Sequence, residues 1–355
     1  MPRQYKTRMT IAVIYAIVLI ISSSGLATEE SSTDTFTILF DDGTVLTGDI
    51  KEMNSNWVMI YAADGRIFRR GFDEIESISR GNVLQYNQTE KNRKALGIEN
   101  HRFAIGIVSS DFNYEEPSLM EEKGALYGIC ARYSYRNNMD GMFQANFQVD
   151  FGEIAYDGVL WGGTPFKTDT DDYMIEFQAI GGMDCAIFNT HILTPFFGFG
   201  CRYWNDMIDG KTIMVDGEKL KVKGYEREIA YWYLPLGIQT ISPISQSVSV
   251  GLTLEYDLFL AGKVTSHLSD VDDAYNDIYN DQLFGKGFGF KGSVQIRIKP
   301  EHMIGFIIEP FVSYWEMEDS EMAVIFYDPT TGGALIGYEP ENTTFHYGVR
   351  AMIEF

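Results

Sequence analysis

The sequence predicts an all-β fold built mainly from a long series of antiparallel strands. Aromatic residues make up 14% of the 355 residues, and 34 glycines accompany only 10 prolines, which suits strands and tight turns better than helices. About ten segments alternate apolar and polar side chains with a period of two, and short and long connections alternate between them. The hydrophobic content of 45% is enough for packed structure, so extensive disorder is not expected.

The first element, residues 1–27, has the layout of a secretory signal peptide. Arg3, Lys6 and Arg8 precede an apolar run of about 13 residues, and small residues ending at Ala27 lead into an acidic segment. The alternative, an uncleaved membrane anchor, needs about 20 apolar residues. Cleavage after Ala27 removes three positive charges from a net charge of −22, which leaves about −25. Such an acidic chain is expected to repel nucleic acid and anionic lipid surfaces.

The second element, residues 35–79, is predicted to be a small β-domain. Two Asp-Gly turns and one asparagine-rich turn separate its short β-rich runs. This order resembles the Sm-like and SH3-like small barrels. Sm-like proteins often bind RNA, but Arg66, Arg69 and Arg70 do not make an extended basic stripe. We therefore expect a periplasmic protein-binding or spacer module, followed by a polar linker over residues 80–101.

The third element, residues 102–355, contains the alternating segments. The predicted strands are residues 103–113, 125–137, 142–152, 172–188, 192–204, 228–240, 247–260, 285–298, 303–316 and 343–355. Every second connection is short, whereas the others are long and mostly acidic. A soluble sandwich rarely sorts its connections this way, because both of its ends face the same water. An even number of strands near the spanning length of about 9–11 residues fits a closed membrane barrel.

Apolar side chains occupy one face of these strands. In the seventh segment, a stripe of valine, leucine and tyrosine from Val248 to Leu260 alternates mainly with serine, glycine and carboxylate residues. Such a stripe is explained by contact with lipid on the outside of a membrane barrel. The alternative to a membrane barrel is an exported soluble two-domain protein. The groups Tyr203-Trp204, Tyr231-Trp232-Tyr233 and Tyr314-Trp315 are predicted to form an aromatic girdle at one membrane interface.

The C-terminus adds a motif to this pattern. The ending "YGVRAMIEF" places Tyr347, Val349, Ala351, Ile353 and Phe355 on one face. With the sorted connections, residues 102–355 resemble the bacterial outer-membrane β-barrels, and the ending resembles their C-terminal insertion signal. The resemblance implies an outer-membrane location, short periplasmic turns, long extracellular loops and a periplasmic N-terminal domain. It also implies outer-membrane lipid and the barrel-assembly machinery as partners, and a last strand that closes the barrel against the first.

The predicted fold class is therefore an all-β, antiparallel transmembrane β-barrel of about ten strands, preceded by a small SH3/Sm-like β-domain. Charged residues of both signs fall on the face opposite the apolar stripe. The predicted lumen charges are Arg132, Asp150, Glu176, Asp184, Arg202, Glu255, Asp257, Lys291, Arg297, Glu309 and Arg350. A barrel this narrow is mostly filled by side chains, so mutual pairing in a plugged lumen is the leading interpretation. A narrow channel for small solutes or ions is the alternative.

No catalytic, cofactor-binding or metal-binding residue is predicted. His267 lies beside Ser266 and near three aspartates, which suggests a loop-borne hydrolase, but adjacent loop residues rarely reach nucleophile-to-base geometry. The aspartate-rich run of residues 269–281 lacks the glycine and glutamate of a calcium loop, so a solvated acidic loop is favoured. Three cysteines show no zinc-site spacing and leave room for one disulfide. The sequence thus predicts a non-enzymatic envelope protein with acidic extracellular loops and a periplasmic protein-docking domain.

Overall fold

A computed structural model describes most of the chain from residue 35 onward. The described residues are 35–40, 44–53, 57–62, 65–71, 74–80, 100–137, 140–160, 163–187, 191–215, 217–245, 247–299, 304–328 and 333–355. The predicted signal peptide and residues 81–99 of the predicted linker lie outside them. The chain divides into two compact units between residues 91 and 92. In the described part of the chain, no helix is both long and apolar enough to cross a membrane.

Five short antiparallel strands form the sheet of the N-terminal unit. They are β1 (Thr35–Phe40), β2 (Val45–Met53), β3 (Trp57–Ala62), β4 (Ile67–Gly71) and β5 (Ile75–Arg80). The hydrogen-bonded order is β4-β3-β2-β1-β5, so the last strand returns to pair beside the first. Ile38, Phe40, Val58 and Ile60 are buried together as the core of this unit. The sheet is consistent with the predicted SH3/Sm-like β-domain.

Ten long strands form the closed barrel of the second unit. They are β6 (His101–Glu116), β7 (Met120–Arg136), β8 (Gly141–Val159), β9 (Pro165–Met183), β11 (His191–Ile208), β14 (Glu226–Pro243), β15 (Val248–Ser266), β17 (Gly287–Ile298), β18 (Gly305–Met317) and β21 (Asn342–Glu354). Shorter strands lie in the connections: β10 (Cys185–Ile187), β12 (Lys211–Val215), β13 (Glu218–Val222), β16 (Ile278–Gln282), β19 (Ala323–Asp328) and β20 (Gly333–Gly337). The predicted antiparallel barrel of about ten strands is confirmed.

The last strand closes the ring against the first. β21 pairs antiparallel with β6 along its length, from Phe345 opposite Asn113 to Ile353 opposite Ile105. The backbone N–H of Phe355 donates to the carbonyl of Phe103 at 2.8 Å. A closed ring leaves no unpaired strand edge, which a membrane span requires because lipid offers no hydrogen-bond partner. The predicted closing role of the C-terminal strand is therefore confirmed.

An apolar belt covers the outside of the barrel. It comprises Phe103, Ile105, Ile107, Tyr127, Ile129, Phe143, Phe147, Phe151, Phe177, Phe197, Phe199, Leu252, Leu254, Ile296, Phe306, Ile308, Tyr347, Val349 and Ile353, all of which are exposed. Ile107 is 66% exposed and Phe197 is 69% exposed. A contiguous apolar surface of this kind is unfavourable in water and is the surface that a spanning barrel turns toward lipid. The belt ends at one side of the barrel where Glu121, Glu153 and Asp171 point outward.

The long connections contain more strand than the sequence pattern predicts. β8 and β9 each have 19 residues, whereas a spanning strand needs about 9–11. The barrel strands therefore extend beyond the belt at the long-loop end, and only residues 117–119 separate β6 from β7. Two further hairpins, β12–β13 and β19–β20, occupy other connections. The assignment of these segments to loops was wrong, because alternation in short polar stretches is weak evidence for a strand.

The predicted aromatic girdle is only half correct. Adjacent residues of a strand point to opposite faces, so each Tyr-Trp pair must divide between lipid and lumen. Trp232 is 39% exposed, and Tyr203 and Tyr314 also lie on the outward face. Trp204, Tyr231, Tyr233 and Trp315 point inward and are buried together. These four residues build an internal aromatic layer and are not part of the girdle.

The three cysteines are unpaired thiols. Cys130 is buried on the lumen face of β7, while Cys185 and Cys201 are partly buried on separate strands. The disulfide left open by the sequence is therefore not formed.

Candidate functional site

The candidate site is the barrel lumen, in which charged side chains from many strands converge. The period of two turns every second residue of each strand inward, so polar positions of the sequence become lumen positions. The charged side chains lie at three levels, from the short-turn end to the long-loop end. The lower network contains Arg102, Arg297 and Glu354; the middle network centres on Glu309 and Lys291; the upper acidic cluster surrounds Arg227.

The lower network joins the first and last strands to β17. Glu354 of β21 accepts hydrogen bonds from Arg297, with a shortest N–O distance of 2.6 Å, and lies 3.4 Å from Arg102 of β6. Nearby, the Nε of Arg136 donates to Oδ2 of Asp184 at 2.8 Å, and Thr194 donates to the other oxygen of that carboxylate at 2.6 Å. These pairs place buried charges of both signs in the lumen at the short-turn end.

One half of the middle network is a carboxylate between two guanidinium groups. Arg132 donates to both oxygens of Glu309 at 2.7 and 3.0 Å, and Arg350 donates to Oε1 at 2.9 Å. Arg350 also donates to Gln148 at 2.6 Å, and Gln148 in turn donates to Asp150 at 2.7 Å. Bidentate pairing fixes the geometry of these side chains across the lumen.

The other half of the middle network is an ammonium among carboxylates. Lys291 contacts Glu176 directly, lies 3.3 Å from Glu255 and 3.0 Å from Asp257, and donates to the hydroxyl of Tyr233 at 2.9 Å. Of the predicted lumen charges, eight therefore meet in these two networks or the lower one. Asp150 joins through Gln148, and Arg202 is buried on the lumen face of β11.

Two small cavities, lined by both polar and apolar side chains, lie beside these networks. The larger has a volume of about 100 Å³ and is lined in part by Arg132, Glu255, Lys291 and Glu309. The smaller has a volume of about 30 Å³ and lies toward the short-turn end. A buried water needs about 10–15 Å³ of such volume, so the cavities are large enough for a few waters between charged groups of both signs.

The internal aromatic layer lies above the middle network. Trp315 meets Tyr233 edge-on, with ring centroids 5.2 Å apart, and Tyr231 meets Phe259 at 5.6 Å. Trp204 packs against Phe112 at 5.0 Å. Edge-to-face contacts between buried rings are favourable beyond the area that they bury. This layer separates the middle network from the long-loop end.

The upper acidic cluster lies beyond the apolar belt, in the strand extensions. Arg227 pairs with Asp206 at 2.9 Å, Glu116 at 2.9 Å, Glu122 at 3.2 Å and Glu339 at 3.5 Å. All five side chains are buried. Burial, followed by the neighbouring charge of Glu116, raises the pKa of Glu339 to about 7. Burial also raises the pKa of Asp206. The guanidinium of Arg227 thus forms ion pairs with four buried carboxylates.

Asp172 adds a fifth carboxylate to this cluster. Its Oδ1 accepts a hydrogen bond from the Nε1 of Trp204 at 2.6 Å, and its other oxygen accepts one from Thr170. It lies directly across from Asp206 in the β9–β11 pair. Burial and the charge of Asp206 raise the pKa of Asp172 to about 7.

The sequence pattern did not predict the upper acidic cluster. Glu116, Glu122, Asp206 and Arg227 all fell within segments assigned to long loops. The alternation with a period of two could have predicted them. If each strand is extended beyond its predicted end, these residues fall on its lumen face. The pairing of Arg227 with Glu339 depends on how a connection between strands folds, so the alternation along the barrel strands does not predict it.

Comparison with known proteins identifies the fold. No family model and no curated protein matches the chain. Among solved structures, the outer membrane protease OmpT of Escherichia coli is similar with a TM-score of 0.50 at 9% identity, covering 72% of this chain and 95% of that chain. The chain folds as a bacterial outer-membrane β-barrel. At this identity, the likeness to the protease concerns the fold alone.

Other solved outer-membrane proteins are similar at lower scores. The attachment invasion locus protein Ail of Yersinia pestis has a TM-score of 0.27 at 10% identity, covering 72% of this chain and 100% of that chain. The toluene transporter TbuX of Ralstonia pickettii has a TM-score of 0.32 at 8% identity, covering 75% and 92%.

The histidines of this outer-membrane barrel lie in separate places. His346 is buried in the lumen and contacts the hydroxyl of Ser110 at 2.8 Å. His191 contacts Ser242 at 2.7 Å, and His101 begins β6, although the sequence assigned it to a linker. His302 lies outside the described residues.

His267 is held by carboxylates near the aspartate-rich run. Its two ring nitrogens lie 3.3 Å from Glu228 and 3.3 Å from Asp277, while Ser266 is buried. Asp277 in turn accepts a hydrogen bond from the hydroxyl of Ser269 at 2.7 Å. Burial alone would lower the pKa of His267, but the two carboxylates outweigh burial and raise it. Hydrogen bonds from Tyr203 and Ser269 are the first causes that lower the pKa of Glu228 and Asp277, respectively.

These shifts predict a pH window for the contact. A raised His267 pKa stabilises the contact below about pH 6.5, and this stabilisation is lost as pH rises through the folded pKa. Lowered carboxylate pKa values stabilise it above about pH 4.5, and that part is lost as pH falls. Glu226, Asp270 and Lys263 also face this group and are expected to shift the limits slightly. The contact contributes roughly 0.2–1 kcal/mol, because His267 is partly solvated.

Limited proteolysis of the segment after His267 measures this effect. We expect faster cleavage at pH 8 than at pH 5.5, relative to the His267→Asn variant at the same two values. His101→Asn, which alters an exposed histidine elsewhere, serves as the control. Equal pH dependence in the wild type and in His267→Asn would contradict the assignment.

Proposed function

We propose that this protein is a non-enzymatic, non-conducting outer-membrane barrel that presents an acidic surface at its long-loop end. The observation that carries the proposal is the filling of the lumen at three levels by paired charges and an aromatic layer. A barrel of about ten strands has an interior that side chains can fill. The partner at the acidic surface would carry positive charge, since the chain has a net charge of −22.

The long-loop end would face outward and the N-terminal sheet would lie in the periplasm. Outer-membrane barrels place short turns in the periplasm, and the N-terminal sheet precedes β6 at the short-turn end. We propose that this sheet docks a periplasmic protein. Ile67 and Tyr61, exposed by 56% and 43%, support that role, because they offer apolar contact area and the ammonium of Lys51 lies over the ring of Tyr61.

The proposal of a non-enzymatic role is supported by the surroundings of His267. The ring nitrogens of His267 are engaged by Glu228 and Asp277, which leaves neither aimed at Ser266 as a general base would be. A loop-borne hydrolase built on Ser266 and His267 is therefore disfavoured.

A narrow channel for small solutes or ions is the second candidate. The cavity of about 100 Å³ favours it, because a chain of waters among charges of both signs is the start of a selective path. In this case the charges around Glu309 and Lys291 would set the selectivity.

Conductance of the purified barrel in planar lipid bilayers separates the two candidates. On this proposal we expect no discrete openings, because the aromatic layer and the middle network would block the lumen. Heat-dependent mobility on a detergent gel and outer-membrane fractionation establish first that the sample is the assembled protein. Discrete openings whose ion preference changes in Glu309→Gln would contradict the plugged lumen and support the channel.

A further inference from the structure

Three carboxylates of the upper acidic cluster face one another closely. Glu122 of β7, Asp172 of β9 and Asp206 of β11 each offer an oxygen atom, and these atoms lie within 4.8 Å of one another. All three side chains are buried. Among the described residues, this is the one group of three or more such side chains with metal-binding spacing.

The charges of the cluster are not balanced by the protein. Five carboxylates, those of Glu116, Glu122, Asp172, Asp206 and Glu339, lie around Arg227. In the described part of the chain, Arg227 is the one cationic side chain that forms ion pairs with them. Burying uncompensated carboxylates is strongly unfavourable, so either bound protons or a bound cation must neutralise part of this charge.

An oxygen of Asp206 lacks a partner at this place. Oδ2 of Asp206 pairs with Arg227, whereas Oδ1 is buried without a hydrogen-bond partner. Arg227 lies opposite Asp206 on one neighbouring strand, and Asp172 lies opposite Asp206 on the other. One carboxylate oxygen of Asp206 lies within 4.8 Å of oxygens of both Asp172 and Glu122. A buried, unpartnered carboxylate oxygen is costly unless a ligand contacts it.

Asp172 is held as a metal ligand would be. Trp204 and Thr170 each donate a hydrogen bond to one of its oxygens. Donors that fix a carboxylate in this way orient metal ligands, and each oxygen keeps a lone pair for a cation.

We propose that Glu122, Asp172 and Asp206 bind one divalent cation, with a preference for Ca²⁺. Carboxylate oxygens are the ligands that hard cations take, and three carboxylates supply three to six of the six to eight oxygens that Ca²⁺ accepts. The cation ties β7, β9 and β11 together at the long-loop end, above the aromatic layer. This cation site is separate from the proposed function, and either proposal can hold without the other.

Terbium luminescence tests the site in the full chain, folded in detergent. Tb³⁺ replaces Ca²⁺ at oxygen sites, and the indole of Trp204 lies beside Asp172 to sensitise its emission. We expect saturable emission that Ca²⁺ displaces at lower concentrations than Mg²⁺. Trp204→Phe should reduce the sensitised emission, whereas Trp232→Phe, which alters an outward-facing indole, should not.

Neighbouring residues on opposite faces supply matched controls. Glu122→Gln and Asp172→Asn should each weaken Tb³⁺ binding about tenfold or more, on the scale of losing metal-site contacts. Glu121→Gln and Asp171→Asn remove the same charges from the outward face and should leave binding unchanged. The proposal would be overturned if all four variants bound Tb³⁺ as the wild type does, or if all four lost Tb³⁺ affinity to the same extent.

A measurement on the unaltered chain covers the case in which the lumen variants do not fold. Ca²⁺ at 1 mM, compared with the chelator EDTA, should raise the unfolding temperature of the wild type, because a ligand that binds only the folded state stabilises it. The same unfolding temperature in both conditions would show that protons and not a cation neutralise the cluster, and would overturn the proposal.

Discussion

Replacing Arg227 with methionine is expected to destabilise the barrel by about 3–5 kcal/mol, because it leaves buried carboxylates without their cation. Methionine keeps the unbranched stem but lacks the guanidinium that lies over the rings of Tyr114 and Trp204, so the contact with these rings is lost together with the charge. Urea unfolding in detergent, followed by the loss of the heat-modifiable band, measures the effect. Arg227→Lys should recover part of the loss, since lysine restores the charge without the forked geometry.

An exposed ion pair of the same barrel serves as the control for Arg227. Lys167 and Asp157 pair at 2.5 Å, but their side chains are 72% and 53% exposed. Lys167→Met should therefore change the free energy of unfolding by at most about 1 kcal/mol. If Arg227→Met cost no more than Lys167→Met, the upper acidic cluster would not be an organising feature of the fold.

The barrel itself could be predicted because lipid outside and a filled lumen impose one periodicity on every strand. The stripe from Val248 to Leu260 illustrates this: its residues lie on the outward face until a register shift opposite Trp232 and Tyr233. Beyond the shift, Gly262 and Val264 point inward. A single-strand pattern does not reveal such an irregularity, because the shift depends on the partner strand.

The lumen charges could be placed on the correct face but not joined into networks. Lys291 meets Glu176, which lies 115 positions away in sequence, and Glu309 meets Arg132 across 177 positions. Such pairs are set by barrel closure and strand tilt, which alternation does not encode. The upper acidic cluster was not predicted for a second reason. The predicted strands stop near the end of the apolar belt, whereas most of the cluster lies in the strand extensions beyond it.

The aromatic pairs show that clustering of aromatic residues along the sequence does not predict which face of a strand they occupy. The alternation of odd and even positions does predict it. Tyr203 and Trp204 were assigned together to the girdle, yet adjacent strand residues cannot share a face. Trp204 instead packs in the lumen and donates to Asp172. The same error hid both the internal aromatic layer and a residue of the candidate cation site.

Replacing Gly106 with alanine is expected to disrupt the seam at which the barrel closes. Gly106 of β6 lies opposite Met352 of β21, and an added Cβ would lie 2.6 Å from the Cα of Met352 and nearer still to the carbonyl oxygen of Ala351. Because backbone atoms and not a flexible side chain would have to move, we expect a loss of about 1–3 kcal/mol in unfolding free energy, with less assembled protein in the membrane.

The control for the seam is Gly292→Ala in β17, where the nearest atom to an added Cβ is Cγ1 of Val312 at 3.6 Å, an ordinary contact. The same substitution there should leave assembly and stability near the wild-type values, since the methyl group adds only belt surface. Heat-modifiable gels of membrane fractions compare the two variants. Equal assembly of Gly106→Ala and Gly292→Ala would mean that the contact between β6 and β21 is looser than its register requires, and that closure tolerates a side chain at the seam.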